Sequence, residues 1–304
     1  MRDLILSNYK TEHGLFYRLR CYLELCKFKI AAFSSLSAAT GFVLANSKLD
    51  SLALTAFFGV LLLACGACAL NQYQERMTDA LMNRTKSRPV PSGYFTPSHA
   101  LGLSLFLIFS GVALLFTQDS PLVPSLGIFA VLWYNGVYTY LKKKTAFAAI
   151  PGALTGAIPP AIGWIAGGGD IYSYKIAIIC FFFFIWQVPH FWLLLLAYDT
   201  EYSSAGFPTL TKMLSVRQIK RITFVWITAT AVSCLFLPVC LSSFNSVVLV
   251  LLVGTAAWLV WNGTNIFDKD KDNTFYISAF HTMNIFMFVI MILLNFDRLL
   301  LNLS

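Results

Sequence analysis

The sequence predicts an all-α polytopic membrane protein, with nine transmembrane helices arranged as a bundle around a central cavity. Three observations predict this class: the composition, the recurrence of long apolar stretches and the distribution of basic residues. Hydrophobic residues make up 58% of the 304 residues and charged residues only 12%, with a mean hydropathy of +0.69. Soluble domains carry about 25% charged residues. This composition therefore excludes a water-soluble surface over most of the chain.

Apolar stretches long enough to cross a bilayer, about 20 residues, recur along the whole chain. The predicted spans are residues 28–46, 51–70, 98–117, 121–141, 146–168, 174–198, 221–241, 244–263 and 276–296. We therefore expect one membrane domain over residues 28–296. A cytoplasmic segment at 1–27 is expected to precede it, and an external tail at 297–304 to follow it.

Basic residues lie mostly on one side of the predicted bundle. Only Lys48, Lys175 and Arg298, out of 22 Lys and Arg residues, fall on the other side. Because cytoplasmic loops are enriched in Lys and Arg, the amino terminus is predicted to be cytoplasmic and the carboxyl terminus external. The net charge of +8 is thus a topology signal, and no nucleic-acid partner is expected.

The first 27 residues carry scattered charges, and they contain neither an apolar signal-peptide core nor an Arg- and Ser-rich presequence. Cleavable signal peptides and mitochondrial presequences have those features. We therefore expect a bacterial plasma membrane protein with several spans.

Polar residues follow the second predicted span. If its helix continues, Asn71, Glu75 and Asp79 fall at i, i+4 and i+8, on nearly one face. Carboxylate and amide oxygens suit a hard cation such as Mg²⁺, which completes its shell with water and substrate phosphates. Arg84 and Arg88 follow, and guanidinium groups bind the oxygens of a diphosphate. Taken alone, the pattern fits solvated charges at a helix end equally well.

A second acidic cluster, Asp199 and Glu201, follows the sixth span on the same predicted side of the membrane. Two such clusters facing one cavity can hold two Mg²⁺ ions bridged by one diphosphate, which neutralises charge as the diphosphate departs. This arrangement is suited to ionising an allylic diphosphate.

Four regions of the chain, taken together over about residues 25–295, resemble the haem O synthases, a branch of the UbiA-type prenyltransferases. They read Asn71-xxx-Glu75-xxx-Asp79 with Arg84 and Arg88-Pro89, Tyr138-xx-Leu141-Lys142-Lys143-Lys144-Thr145, Gly156-Ala157-Ile158-Pro159-Pro160-Ala161-Ile162-Gly163, and Trp186-Gln187-Val188-Pro189-His190-Phe191-Trp192 with Glu201-Tyr202-xx-Ala205-Gly206. His190 and the Pro159-Pro160-xx-Gly163 pattern point to the haem branch. Glu75 and Glu201 depart from it, because bacterial members commonly have Asp there.

The resemblance implies that farnesyl diphosphate ionises with Mg²⁺ and that its farnesyl group joins the 2-vinyl group of haem b, giving haem O. The bilayer and these two substrates are the expected partners, with a haem A synthase or a terminal oxidase left open. The implied site residues are Asn71, Glu75, Asp79 and Glu201 for Mg²⁺, joined by Asp199 of the second cluster, and Arg84, Arg88, Lys142 and Lys143 for the diphosphate.

Two aromatic side chains complete the predicted site. Tyr138 lies four residues before Lys142, which favours Lys142 or Lys143 over Lys144 beside the diphosphate. Its ring is one of several that can stabilise an allylic cation. His190 either contacts haem, as an iron ligand or by orienting the vinyl group, or is a hydrogen-bonded packing residue.

Two competing functions stay open on the sequence. A UbiA-type transferase for a quinone precursor or another aromatic acceptor would use the same diphosphate half-site. A transporter would place its charged residues at a site near the midplane of the bilayer. The acidic residues here cluster instead at helix ends, beside basic residues.

Overall fold

A computed structural model describes residues 14–241, 245–267 and 274–301. Residues 1–13 of the expected cytoplasmic segment and residues 302–304 of the expected tail lie outside these ranges. The described residues form helices joined by turns, and no strand occurs among them.

The helices are named here in chain order. They are α1 (Leu15–Leu25), α2 (Phe28–Asn46), α3 (Ser51–Asp79), α4 (Pro97–Leu115), α5 (Leu122–Leu141), α6 (Ala146–Ala166), α7 (Tyr174–Ala197), α8 (Asp199–Ser204), α9 (Val216–Leu241), α10 (Ser246–Thr264) and α11 (Thr274–Leu301). Short 3₁₀ turns follow at Leu210–Lys212 and Asn265–Phe267. A π-helical segment, Leu132–Tyr138, interrupts α5.

Within the described ranges, nine helices are long and apolar enough to cross a membrane, which confirms the predicted fold class. Their bounds differ from the predicted spans mainly where polar residues belong to a helix. α3 continues past residue 70 to Asp79, α9 begins at Val216 instead of 221, and α11 runs from Thr274 to Leu301. Hydropathy marks only the apolar part of a helix. The helical backbone hydrogen bonds continue past that part, along residues whose polar side chains find partners.

Side-chain caps fix where several spans begin. The Asp50 carboxylate accepts from the Ala53 N–H at the start of α3, and the Thr96 hydroxyl accepts from the His99 N–H at the start of α4. Such caps satisfy backbone donors that have no partner within the helix. These caps therefore fix the residue at which each helix begins.

The helices close into a bundle because α2 contacts α3, α6 and α11. The contact between α2 and α6 is made backbone to backbone at two glycines. A β-carbon at Gly41 would overlap the Pro160 carbonyl oxygen, and one at Gly163 would overlap the Ala38 carbonyl oxygen. Small residues at helix crossings are typical of membrane bundles, in which close packing replaces the hydrophobic effect.

Replacing Gly41 by alanine is expected to lower the free energy of unfolding in mixed micelles by about 1–3 kcal/mol, because the methyl group forces α2 and α6 apart. Gly254→Ala in α10 is the matched control, since nothing lies within 4 Å of a β-carbon there. The control should be as stable as the wild type or slightly more stable. Equal stability of all three proteins would contradict this packing.

Candidate active site

The polar end of α3 carries three buried oxygen-bearing side chains on one face. Asn71, Glu75 and Asp79 are 1%, 5% and 2% exposed. Because α3 stays helical to Asp79, their spacing of four residues aligns them as the sequence predicted. Buried carboxylates are costly unless they are paired, so their partners determine the chemistry of this face.

Both carboxylates of this face are paired with cations from other parts of the chain. The Lys142 amine, at the end of α5, donates to Glu75 Oε2 at 2.6 Å. The Arg88 guanidinium, from the loop after α3, donates to Asp79 Oδ2 at 2.8 Å. Among the described residues, none hydrogen-bonds the buried Oε1 of Glu75. The pairing therefore leaves one carboxylate oxygen ready for a further cation.

Asn71 has a cationic partner that sequence reasoning missed. The amine of Lys27, between α1 and α2, donates to Asn71 Oδ1 at 2.9 Å, and Asn71 Nδ2 donates to Thr139 at 3.1 Å. Burial, together with the positive charges of Arg88 and Lys142, lowers the pKa of the Lys27 amine to about 8. In the sequence, a lysine just before a span looks like an ordinary membrane anchor, so no local signal marks it.

The π-helical segment of α5 is attached to α3 by polar contacts. The Asn135 amide donates to the Ala67 carbonyl at 3.0 Å and to Gln74 Oε1 at 3.1 Å, and Gln74 Nε2 donates back to the Asn135 carbonyl at 3.1 Å. π-helical turns occur frequently at functional sites. Here the turn holds Tyr138 and Lys142 against the acidic face.

The two long loops meet at Arg84. Its backbone N–H donates to Glu201 Oε2 at 2.9 Å, and its guanidinium donates to the Tyr202 hydroxyl at 3.1 Å. The guanidinium also lies over the Tyr198 ring, 4.7 Å from the ring centroid. α8 and the loop after α3 are thus fastened together, and Glu201 is brought to the same end of the bundle as Asp79.

Two predicted site residues lie apart from these contacts. Asp199 Oδ2 accepts from the Thr211 hydroxyl at 2.7 Å, within its own loop. Lys143 is exposed, whereas its neighbour Lys142 is turned inward to Glu75. Of the two lysines favoured by the sequence, the structure thus brings Lys142 to the acidic face.

Aromatic rings lead from the charged face into the bundle. The Lys142 amine lies 5.5 Å from the Tyr138 ring centroid, and the Phe191 ring stacks on Tyr138 at 5.4 Å. Next to Phe191 lies His190, whose ring centroid is 4.5 Å from that of Phe280. A continuous line of rings therefore connects the lysine–carboxylate pair with His190.

His190 lacks the hydrogen bond expected of a packing histidine. Its Nδ1 is buried, and none of the described residues hydrogen-bonds it. The ring packs against Trp186, at 4.8 Å between centroids, as well as against Phe280. A buried ring nitrogen without a partner costs free energy, which favours a role facing a ligand.

A separate cavity of about 380 Å³ lies between α9, α10 and α11. Its walls include Leu259, Asn262, Ser278 and Thr282, and no predicted site residue lines it. The charged site and the ring line are therefore distinct from this cavity.

The sequence profile of the UbiA prenyltransferase family matches residues 34–290. This chain belongs to the UbiA prenyltransferase family. The match covers all of the site except Lys27, and it confirms the family that the motifs indicated.

Curated relatives extend the likeness over nearly the whole chain. The chain is 38% identical over 216 residues to a protoheme IX farnesyltransferase of Geobacter sulfurreducens, covering 71% of this chain and 80% of that protein. It is 33% identical over 282 residues to a protoheme IX farnesyltransferase of Oleidesulfovibrio alaskensis, covering 92% of this chain and 97% of that protein.

Solved structures of UbiA proteins share the fold at low sequence identity. A UbiA homologue from Archaeoglobus fulgidus bound to GPP and Mg²⁺ superimposes with a TM-score of 0.68 at 13% identity, covering 92% of this chain and 99% of that one. A digeranylgeranylglyceryl phosphate synthase gives a TM-score of 0.73 at 16% identity, covering 93% and 99%. These likenesses support the fold assignment alone.

The chemistry of this UbiA site fits a hard cation. Glu75, Asp79 and Asn71 present oxygen donors one helical turn apart, and Glu75 Oε1 is unpartnered among the described residues. Mg²⁺ prefers such ligands and is held by one or two carboxylates plus substrate phosphates. In the described ranges no group of three or more His, Cys, Asp or Glu side chains gathers as a metal site. Water and substrate oxygens would complete the shell of an ion held by this face.

Lys142→Met is expected to lower the free energy of unfolding in mixed micelles by about 2 kcal/mol, because it leaves the Glu75 carboxylate buried and unpaired. Lys144→Met is the matched control. Lys144 is exposed, so its replacement should change stability by less than about 0.5 kcal/mol.

Adding Glu75→Gln to Lys142→Met should restore most of the lost stability, since the buried charge is then gone. If Lys142→Met alone were as stable as the wild type, the pairing described here would be wrong.

Proposed function

We propose that this protein is a membrane farnesyltransferase that joins the farnesyl group of farnesyl diphosphate to the 2-vinyl group of haem b, releasing diphosphate and giving haem O. The observation that carries the proposal is the buried acidic face of α3, whose carboxylates lie beside Lys142 and Arg88. Oxygen ligands for a metal and cations for phosphate oxygens occur together there. Relatives named protoheme IX farnesyltransferase, one matched over 97% of its length, support the choice of acceptor and prenyl group.

The diphosphate half of the site acts on the leaving group. Breaking the bond between farnesyl C1 and oxygen leaves an allylic cation, while diphosphate departs with the electron pair. Lys142 and Arg88 neutralise this growing negative charge. Arg84, whose backbone N–H donates to Glu201, is proposed to contact the same charge from the loop after α3. Preorganised charges that match charge developing in the transition state lower the barrier directly.

Bound Mg²⁺ would supply further charge neutralisation at the departing diphosphate. Glu75 and Asp79 would hold the metal by carboxylate oxygens and Asn71 by its amide oxygen, with Glu201 contributing from the second loop. Asp199 would join this set only after leaving its bond to Thr211. Glu75 carries the buried oxygen without a partner among the described residues, which supports its place in this set.

Tyr138 and Phe191 are proposed to guide the allylic cation towards the acceptor. Their stacked rings begin beside Lys142 and continue to His190. Ring faces attract a cation, and apolar walls exclude water from it until the acceptor is reached.

His190 is proposed to serve the acceptor half of the site. The terminal vinyl carbon of haem b uses its π electrons to bond farnesyl C1, and the cation left beside the macrocycle is captured by water, which then loses a proton. The unpartnered Nδ1 of His190 can orient the acceptor or accept that proton. A quinone precursor would use the same diphosphate half, but the relatives and His190 favour haem b.

The proposed setting is a bacterial plasma membrane, with the amino terminus and the acidic face on the cytoplasmic side and the carboxyl terminus outside. The basic residues beside this face support the orientation. A haem A synthase or a terminal oxidase is the proposed consumer of the product.

The function is tested by incubating the purified protein in detergent with haem b, farnesyl diphosphate and Mg²⁺. We expect mass spectrometry to detect the hydroxyethylfarnesyl adduct of haem, and EDTA to abolish it. Diphosphate release with an aromatic acceptor but not with haem would keep the transferase chemistry and overturn the acceptor. No product with either, from folded protein, would contradict the proposal.

Asp79→Asn is expected to reduce turnover by about 10²–10³-fold, because a charged oxygen that supports leaving-group departure is lost. Asp119→Asn is the matched control, since Asp119 is an exposed carboxylate in the turn after α4. Turnover at the wild-type rate in Asp79→Asn would remove Asp79 from the proposed machinery.

A further inference from the structure

Lys27 has an unusual backbone conformation. Its φ and ψ are 46° and 50°, in the left-handed region, at the junction between α1 and α2. A side chain with a β-carbon costs about 1–2 kcal/mol in this region relative to the right-handed one. Glycine or asparagine would be the cheaper residue there, which draws attention to the contacts of the lysine side chain.

The junction is held without the help of the lysine amine. Gln72 Nε2, on α3, donates to the carbonyls of Glu24 at 2.9 Å and of Leu25 at 3.3 Å. Leu25 is fully buried against the start of α4 and its preceding loop. Asn71 is likewise fixed by its bond to Thr139. A merely structural role for the amine is therefore redundant.

The amine adds to a surplus of positive charge at the acidic face. Lys27, Lys142 and Arg88 contact Asn71, Glu75 and Asp79, respectively, so three cations meet only two carboxylates. The three cations repel one another, and this repulsion is relieved when an anion binds between them. A diphosphate is such an anion, and its terminal oxygens suit ammonium and guanidinium donors.

We propose that the Lys27 amine binds the diphosphate group of the prenyl substrate beside Asn71. The inference rests on the proposed function, and it adds a cation from the junction between α1 and α2 to Lys142, Arg88 and Arg84 at the substrate site. The left-handed junction between α1 and α2 then positions this amine beside the phosphate oxygens.

The test measures binding of farnesyl S-thiolodiphosphate, an analogue that ionises slowly, to purified full-length protein with Mg²⁺ present. Lys27→Met is expected to weaken binding by about 10-fold or more, since a hydrogen bond to a charged group is lost. Lys27→Arg, which keeps the charge, should stay within a few-fold of the wild type. Lys29→Met is the matched control: Lys29 is exposed at the same helix start, and its replacement should leave the affinity unchanged.

A double-mutant cycle separates direct contact from an effect through Asn71. Direct contact predicts that Lys27→Met weakens binding about 10-fold in the Asn71→Ala background too. If Lys27 only positions Asn71, the second substitution has no further effect, and the inference is overturned. Thermal unfolding of each variant confirms that it is folded, and Lys27→Gln replaces Lys27→Met if the latter does not fold.

The binding measurements distinguish a failure of the Lys27 inference from a failure of the proposed function. Binding to wild type that is unchanged in Lys27→Met and Lys27→Gln overturns the role of Lys27 and leaves the proposed function standing. No Mg²⁺-dependent binding to wild type overturns the proposed function and this inference with it.

Discussion

Two carboxylates buried at the end of an apolar helix impose the constraint on which the site depends. Glu75 and Asp79 are nearly inaccessible, and unpaired charges in such surroundings would cost several kcal/mol each. Each therefore needs a cation delivered from elsewhere in the chain. The π-helical turn of α5 brings Lys142, and the loop after α3 brings Arg88. Much of the local architecture follows from this need.

The same pairing makes the face suitable for a diphosphate and a metal. Once a metal ion binds the carboxylates, the cations that had neutralised them would contact phosphate oxygens instead. The net charge of the site would stay nearly balanced during this exchange of partners. In the proposed reaction, the ring line from Tyr138 through Phe191 to His190 would lead from the leaving group to the acceptor. The charged and the aromatic parts of the site meet at Lys142, which contacts Glu75 and the Tyr138 ring.

The sequence predicted whatever depends on local periodicity. Hydropathy located the nine spans, and the four-residue spacing of Asn71, Glu75 and Asp79 identified the acidic face. Contacts between distant segments carried no such signal: Lys27 resembled a membrane anchor, and the bond from the Arg84 backbone to Glu201 joins residues 117 positions apart. The π-helical turn was also missed, because its stabilising contacts come from α3 and not from its own sequence.

The central claim, that the acidic face of α3 holds the metal and diphosphate, is tested most directly by anomalous diffraction. Crystals would be grown with Mn²⁺ in place of Mg²⁺ and with the farnesyl thiolodiphosphate analogue. We predict manganese within bonding distance of Glu75 and Asp79, with Lys142 and Arg88 turned to the phosphate oxygens. Manganese bound elsewhere, with the Lys142–Glu75 and Arg88–Asp79 pairs intact, would contradict this claim.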